Sequence, residues 1–225
     1  MDLRLENKAV FQVVGPSGSG KTYFVSNLLK YSKVVFKYTV KNIHWLMGSE
    51  DGEDGETKKL LKSIRGIKYM KGFEQDWQKK LMPYDIIVID DLFVEATKEK
   101  NFTNLFTKIA RHHGVTVIFI TQNMFHQGGQ HRTSNLNVHY LVLFKNPRDS
   151  TVIDYVARQA YPNNRKYILD SFRDATQGTP HGYLFFDFTQ SCPDELRVRA
   201  RIFEPPLIIY KQIDEDDDDG NNVKL

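Results

Sequence analysis

The sequence predicts an α/β fold, a three-layer sandwich around a mostly parallel central sheet. Apolar runs of strand length recur along the chain, at 9–14, 42–47, 84–90, 115–121 and 139–145. Helix-compatible segments lie between them, and this alternation is typical of helices that cover both faces of one sheet. Several runs are almost continuously apolar, which suits strands that are buried on both sides. The third observation is a glycine-rich turn between the first strand and the first helix.

That turn matches a known phosphate-binding pattern. Residues 15–22 read Gly-Pro-Ser-Gly-Ser-Gly-Lys-Thr, a complete P-loop, with the strand before it and a helical segment at 23–31 after it. Such a turn points several backbone N–H groups and a helix N-terminus at one small volume. We expect Lys21 to reach the β- and γ-phosphates of ATP and Thr22 to hold Mg²⁺. The predicted nucleotide-binding residues are Gly15, Pro16, Ser17, Gly18, Ser19, Gly20, Lys21 and Thr22.

The strand at 84–90 ends in two acidic residues, Asp90 and Asp91. An apolar strand with a carboxylate at its tip is the Walker B pattern, in which the carboxylate, here Asp90, assists Mg²⁺. A second carboxylate beside it can orient or partly deprotonate an attacking water, so Asp91 is a candidate catalytic residue. The alternative is that Asp91 only caps the following turn.

The strand at 115–121 is followed by two amide side chains. A neutral amide at this position can hydrogen-bond both the γ-phosphate and the attacking water, and so report whether the γ-phosphate is present. Gln122 is the first candidate for this sensor and Asn123 the second. The alternative is a polar turn without a catalytic role.

Helices are predicted at 101–112 and 150–161 by apolar residues spaced at i, i+3, i+4, i+7 and i+8. Arg111 lies near the end of the first helix, before the sensor strand. From there it would enter a neighbouring subunit's site and offset charge in the transition state. Arg132 is the competing candidate, and a surface arginine paired with an acid is the plain alternative.

Four histidines, His112, His113, His126 and His131, lie close together in sequence. No cysteine accompanies them and their spacing fits no common zinc pattern, so we interpret them as polar loop residues. The segment 127–132 is glycine-rich and basic, a composition suited to contact nucleic-acid phosphates.

The last quarter of the chain predicts an antiparallel extension of the sheet. Two strand-like runs, 182–188 and 196–203, are separated by a turn-rich segment, and the second alternates apolar and basic residues. This alternation would place Arg197, Arg199 and Arg201 on one wet face. We interpret that face either as a solvated edge strand or as a strip that contacts DNA.

Charge divides the chain into a basic body and an acidic tail. The segment 213–225 holds six acidic residues and one lysine, and the remaining residues include 30 basic and 22 acidic ones, a net charge of +8. A basic body suggests a polyanionic partner, although a solubilising tail on an ordinary domain is the alternative. We predict a P-loop ATPase domain over 1–212, with its core at about 8–162 and a β extension at about 180–212, followed by a disordered tail.

Composition also excludes several classes of protein. No apolar run approaches the ~20 residues that a membrane span needs, and the first six residues do not resemble a secretory signal. The single cysteine, Cys192, excludes an internal disulfide framework and a cysteine-based zinc site. We therefore expect no membrane contact and a reducing, intracellular environment.

In this order, the elements resemble the FtsK/HerA superfamily of DNA-pumping ATPases, and within it the genome-packaging ATPases of poxviruses, virophages and Polinton-like elements. The resemblance covers about residues 8–162. It is carried by the P-loop, the paired acids after 86–89 and the segment 111–123, and the segments 132–137 and 143–149 also look like the packaging branch.

The resemblance implies a RecA-like, additional-strand P-loop NTPase whose sensor strand lies between the P-loop strand and the Walker B strand. Gln122 would then lie between Lys21 and Asp90. It also implies a hexameric or pentameric ring with double-stranded DNA in its channel, ATP at the subunit interfaces, and Arg111 as the arginine that acts in trans. Asp91 stands where many members of the superfamily have glutamate, so its role is less firmly implied.

The expected function is therefore an ATP-driven translocase that packages a viral genome into a preformed capsid. Its cofactors would be ATP and Mg²⁺, and its partners double-stranded DNA, further copies of the chain, and a capsid or capsid-vertex protein. It would act in the host-cell interior at sites of virion assembly, in the cytoplasm or the nucleus, and the alternative is that it is associated with the virion. Two alternatives are a non-translocating ATPase helper in replication or transposition and a nucleotide kinase, since the P-loop also resembles that of guanylate kinases.

Overall fold

The computed structural model describes residues 2–47, 59, 61–62, 64, 66–71, 77–90, 102–122, 124 and 138–212. The strands are β1 (Val10–Val14), β2 (Ile43–Met47), β3 (Ile67–Lys71), β4 (Ile86–Asp90), β5 (Thr116–Thr121), β6 (Tyr140–Phe144), β7 (Tyr183–Asp187), β8 (Val198–Ala200) and β9 (Ile208–Tyr210). The α-helices are α1 (Lys21–Lys30), α2 (Ser32–Val35), α3 (Phe102–His113), α4 (Thr151–Ala160) and α5 (Arg165–Thr176). Short 3₁₀ helices span Trp77–Lys80 and Asp194–Leu196.

The nine strands form one sheet in the order β3-β2-β4-β5-β1-β6-β7-β8-β9. The strands from β3 to β6 in this order are mutually parallel, and β7, β8 and β9 are added antiparallel. The predicted fold class, a mostly parallel sheet with an antiparallel C-terminal extension, is confirmed. The strand β5 lies between β1 and β4, as the family resemblance implies.

The first face of the sheet is covered by α1. Phe24, Val25 and Leu28 of this helix belong to the same buried cluster as Phe11 and Val13 of β1. The helix is amphipathic because its apolar residues recur at helical spacing, and burial of each such side chain stabilises the fold by roughly 1.5–3 kcal/mol.

The opposite face is covered by α3, α4 and α5. Ile109 of α3 clusters with Ile87 of β4, and Ile153 of α4 clusters with Leu141 of β6. The prediction of three layers is therefore confirmed. In the apolar stripe predicted for α3, Ile109 and Ala110 are buried, whereas the side chains of its first half lie outside the described part.

Four of these strands and α-helices have no counterpart among the predictions: β3, α2, α5 and β9. The strand β3 reads Ile-Lys-Tyr-Met-Lys and lies at the sheet edge, where polar side chains are tolerated and the apolar signal is weak. The helix α5 contains five charged residues among its twelve, which obscures its apolar stripe. The predicted tail 213–225 lies outside the described residues.

The prediction of a wet, basic face on the C-terminal extension is wrong. The strand β8 has β9 on its outer side, so it is not an edge strand. Arg199 is only 3% exposed, and its guanidinium donates to the Asp187 carboxylate at 3.1 Å and to the Leu196 carbonyl at 2.6 Å. Arg197 is half-buried, and Arg201 is exposed beyond the end of β8. The alternation fails because a 3₁₀ helix replaces the first part of the expected strand and the buried Asp187 carboxylate compensates the charge of Arg199.

Candidate nucleotide-binding site

The candidate site lies along the edge of the sheet that is formed by the C-terminal ends of its parallel strands. The strands β1, β4 and β5 are parallel, so their C-terminal ends meet at this edge. In the strand register Asp90 is paired with Ile120, and Val14 is paired with Thr121. Neighbouring strands lie about 4.8 Å apart, so the end of β4 is roughly 10 Å from the end of β1. The elements that carry the predicted P-loop, sensor and Walker B residues are thus brought together.

The P-loop is shaped by glycines that no other residue can replace without strain. Gly18 and Gly20 have φ angles of 74° and 101°, which side chains disfavour. A Cβ atom on Gly15 would lie 2.6 Å from Cβ of Phe144 and 2.7 Å from Oγ of Ser19. The loop therefore leaves β1 in close contact with the end of β6.

The loop and the start of α1 suit a bound phosphate. The helix has no side-chain cap on its N-terminal N–H groups and no acidic residue in its first turn, so an anion meets no competing carboxylate there. The Lys21 side chain is buried and its Nζ donates to the Pro16 carbonyl at 2.9 Å, which keeps the ammonium group within the loop. The buried Oγ of Ser19 has no hydrogen-bond partner within the part of the chain that the structure describes. An orphaned hydroxyl in a polar loop fits a phosphate oxygen.

The predicted magnesium ligands, Thr22 and Asp90, lie on α1 and β4. Thr22 is half-buried in the first turn of α1, and Asp90 is half-buried at the last position of β4. Hydroxyl and carboxylate oxygens are ligands that Mg²⁺ prefers, so the donor set fits this ion. Asp91, the candidate water-activating residue, lies outside the described residues, as does Asn123.

Gln122 is exposed and directly follows β5. The residue before it, Thr121, accepts a hydrogen bond from the backbone N–H of Gly15 at 3.2 Å. The predicted sensor is therefore one residue beyond the position that is hydrogen-bonded to the first residue of the P-loop. It follows β5, the strand that lies between β1 and β4. Its exposure leaves the amide accessible to a ligand at this edge.

Arg111 lies at the opposite edge of the sheet, which is formed by the N-terminal ends of the parallel strands. It is exposed in the last turn of α3, just before β5 begins. Burial, together with the positive charge of Arg111, lowers the pKa of His139, which precedes β6 at the same edge. Because β5 rises about 3.3 Å per residue, Arg111 is roughly 20 Å from the edge that carries the P-loop. The arginine is thus remote from the P-loop of its own chain.

The remaining candidates divide between described and undescribed segments. Arg132, His126, His131 and the basic segment 127–132 lie outside the described residues. His112 is exposed and His113 is half-buried at the end of α3. Across the portion that the structure describes, no three His, Cys, Asp or Glu side chains are grouped so that they could hold a metal ion.

One residue at the P-loop was not among the predicted site residues. His181, in the segment between α5 and β7, has its Nδ1 3.2 Å from the Ser19 carbonyl oxygen. It was missed because the two residues are far apart in sequence and meet only because β7 runs antiparallel to β6. The available signal was a polar residue flanked by Gly178, Pro180 and Gly182 immediately before a strand.

The fold is similar to that of solved viral packaging enzymes. B204, the DNA-packaging ATPase of Sulfolobus turreted icosahedral virus, matches with a TM-score of 0.55 and 12% identity, over 93% of this chain and 100% of that chain. The genome-packaging NTPase B204 of Sulfolobus turreted icosahedral virus 2, in complex with AMPPCP, matches with a TM-score of 0.52 and 14% identity, over 92% and 98%. The same NTPase in complex with AMP gives 0.51 and 13%, over 84% and 94%.

No family model matches the sequence, and no curated protein matches it either. At the identities found, the similarity to B204 concerns the fold. The expected resemblance to viral genome-packaging ATPases is confirmed at that level. None of the helices that the structure describes has both the length and the hydropathy of a membrane-spanning segment.

Proposed function

We propose that this protein is an ATPase that moves double-stranded DNA and packages a viral genome. The observation that carries the proposal is the strand order β4-β5-β1, which places the P-loop, Gln122 and Asp90 along one edge of the sheet. The similarity in fold to the packaging ATPase B204 supports the same function. The buried Lys21 ammonium group and the glycine conformations of the loop support phosphate binding.

Each residue of the edge then has a role in ATP hydrolysis. Lys21 and the loop N–H groups would bind the β- and γ-phosphates, while Thr22 and Asp90 would hold Mg²⁺. The bound ion would neutralise charge on the phosphate oxygens. Asp91 would orient the water that attacks the γ-phosphorus, and Gln122 would hydrogen-bond both that water and the γ-phosphate. Cleavage of the bond between the γ-phosphorus and its bridging oxygen leaves ADP and phosphate.

The site is completed by a second copy of the chain. Arg111 lies at the sheet edge opposite its own P-loop, so it can serve a P-loop only from a neighbouring subunit. Head-to-tail contacts of this kind close into a ring when the rotation between subunits permits. We propose a hexameric or pentameric ring, with ATP at each interface and DNA in the channel.

The charge distribution of the chain suits double-stranded DNA as a partner. Lysines and arginines give residues 1–212 a net charge of +8, and contacts with DNA phosphates need no particular base sequence. Such contacts grip DNA without sequence preference, as a packaging motor requires. A capsid or capsid-vertex protein would hold the ring at sites of virion assembly in the host cell.

The experiment that tests this function is ATP hydrolysis by the purified chain with and without double-stranded DNA of increasing length. We expect hydrolysis that DNA stimulates, more strongly as the duplex lengthens, and that Lys21→Ala abolishes. Hydrolysis that responds to DNA but not to its length would favour a non-translocating helper ATPase. Transfer of phosphate to a nucleoside monophosphate without any effect of DNA would indicate a nucleotide kinase and overturn the proposal.

A further inference from the structure

His181 is held directly over the P-loop. Its Nδ1 lies 3.2 Å from the carbonyl oxygen of Ser19. Because a carbonyl oxygen can only accept a hydrogen bond, Nδ1 must carry the hydrogen. The contact joins the loop that follows β1 to the segment that precedes β7. No local sequence pattern connects these two parts of the chain.

The imidazole ring also packs against the backbone of Gly20. A Cβ atom built on Gly20 would lie 3.0 Å from Cβ, Cγ and Nδ1 of His181, closer than ordinary van der Waals contact. The φ angle of Gly20 is 101°, so glycine is favoured there for its conformation as well. The ring thus covers the residue that immediately precedes Lys21.

The segment that carries His181 is itself well fixed. The N–H of Gly182 donates to the carbonyl of Thr179 at 3.2 Å, which closes a turn around the histidine. A Cβ atom on Gly182 would lie 2.9 Å from Cα of Thr176, so the turn folds closely onto the end of α5. The next residue, Tyr183, packs its ring edge-on against Phe24 of α1, with centroids 4.8 Å apart. The histidine is therefore positioned relative to both the loop and the helix.

We infer that His181 is a positioning residue that orients the P-loop for phosphate binding, an inference that rests on the nucleotide binding proposed above. In a planar trans peptide the C=O and the following N–H point in opposite directions. Because His181 holds the Ser19 carbonyl on its own side, the N–H of Gly20 is directed to the other side, away from the histidine. Backbone N–H groups of this loop are the donors that cradle the phosphates.

The loop needs such a contact because of its glycines. Gly18 and Gly20 flank Ser19, and glycine adopts positive and negative φ with nearly equal ease. Loss of this contact would leave the peptide between Ser19 and Gly20 less restrained, and a ligand would then have to supply more of the ordering free energy when it binds. The hydrogen bond from His181 fixes the peptide beforehand.

The inference is tested by ADP binding to the full chain, measured by titration calorimetry, for a matched pair of variants. Asparagine carries an N–H donor at the position of Nδ1, since Nδ2 is attached directly to Cγ. Leucine has the same branching at Cγ but no donor. We expect His181→Leu to weaken ADP binding about fivefold, which is the effect of losing one hydrogen bond, and His181→Asn to remain within about twofold of wild type. Gln177→Ala, an exposed neighbour in the same segment, is the control and should bind as wild type does.

Kinetics give a second readout. Loss of ground-state phosphate binding raises KM for ATP and leaves kcat unchanged, so His181→Leu should show this split and His181→Asn should not. If both variants bind ADP as wild type does, the inference is overturned while the proposed function stands. If both weaken binding equally, the ring and not its hydrogen bond matters, and the positioning role is likewise overturned. Failure of the wild-type chain to bind ADP would overturn both the inference and the proposed function.

Discussion

The backbone N–H of Gly15 donates to the carbonyl of Thr121 at 3.2 Å, which ties the first residue of the P-loop to the last residue of β5. The residue after Thr121 is Gln122, so the predicted sensor directly follows the residue whose carbonyl anchors the loop. This contact exists only because β5 lies directly beside β1. A backbone hydrogen bond therefore links the end of the strand that precedes Gln122 to the first residue of the P-loop.

Substitution of Gln122 tests the sensor. We expect Gln122→Ala to lower the rate of ATP hydrolysis roughly 100-fold, because one hydrogen bond to the transition state is lost. ADP binding should change less than about threefold, because ADP has no γ-phosphate. Steady-state kinetics and ADP titration measure the two effects.

The control for this variant is Gln190→Ala. Gln190 is also an exposed glutamine, but it follows β7, whose antiparallel direction ends it at the opposite edge of the sheet. Hydrolysis by Gln190→Ala should equal that of wild type. A Gln122→Ala protein that hydrolysed ATP at the wild-type rate at saturation would rule out the sensor role.

Mixed rings test whether Arg111 acts in trans. Lys21→Ala alone should be inactive because it lacks the ammonium group that binds the β- and γ-phosphates. Arg111→Ala alone should be inactive because an arginine finger contributes about 1,000-fold or more to the rate. In an equal mixture about one interface in four combines an intact Lys21 with an intact Arg111 from the neighbour, so about a quarter of the wild-type rate should return.

The control mixture combines Lys21→Ala with the double variant Lys21→Ala/Arg111→Ala, which contains no intact Lys21 and should stay inactive. Rings of the first mixture that form normally but recover no activity would show that Arg111 does not complete a neighbour's site.

The buried ion pair of Arg199 and Asp187 should dominate the stability of the C-terminal extension. The two side chains are only 4% and 7% exposed, with a 3.1 Å separation. Arg199→Met leaves the Asp187 carboxylate buried and unpaired, and we expect a loss of about 3 kcal/mol in the free energy of unfolding. Urea denaturation measures this loss.

Arg173→Met is the matched control, because Arg173 pairs with Asp170 at a similar distance of 3.2 Å on the surface, where the side chains are 72% and 47% exposed. This substitution should cost less than about 0.5 kcal/mol. Equal losses for the two variants would contradict the importance of the buried pair.

Cys192 should be unreactive in the folded protein. Burial raises the pKa of its thiol, and the side chain is only 7% exposed. The reactive thiolate is therefore both scarce and shielded. We expect no appreciable reaction with a disulfide reagent at pH 8 in the native state, and one thiol per chain after unfolding in guanidinium, since the sequence has a single cysteine. Rapid, stoichiometric reaction of the native protein would contradict the buried environment.

Much of the site-bearing half of the fold could be predicted from the sequence. The inner strands are nearly continuous apolar runs, and Asp90 and Gln122 stand at strand ends, where parallel strands bring them to a common edge. These signals are local, so they can be read from neighbouring residues alone. The order of β4, β5 and β1 came from the family resemblance, because apolar runs do not specify which strand lies beside which.

The errors arose where the outcome depended on distant contacts. The alternation around Arg199 predicted a wet face, but Asp187, on the neighbouring strand, pairs with this side chain inside the fold. His181 carries no local motif and reaches Ser19 only through the direction of β7. Both cases involve a polar group whose partner is set by the antiparallel extension, and its pairings cannot be derived from periodicity.

Displacement of a triplex-forming oligonucleotide from double-stranded DNA tests the central claim most directly, because it detects movement along the duplex and not hydrolysis alone. We predict that the wild-type chain with ATP and Mg²⁺ displaces the third strand from a long duplex, with a delay that grows with the distance the protein must travel. Lys21→Ala, or wild type with AMPPCP, should displace none. ATP hydrolysis stimulated by the same duplex without displacement at any distance would contradict the claim that this ATPase translocates DNA.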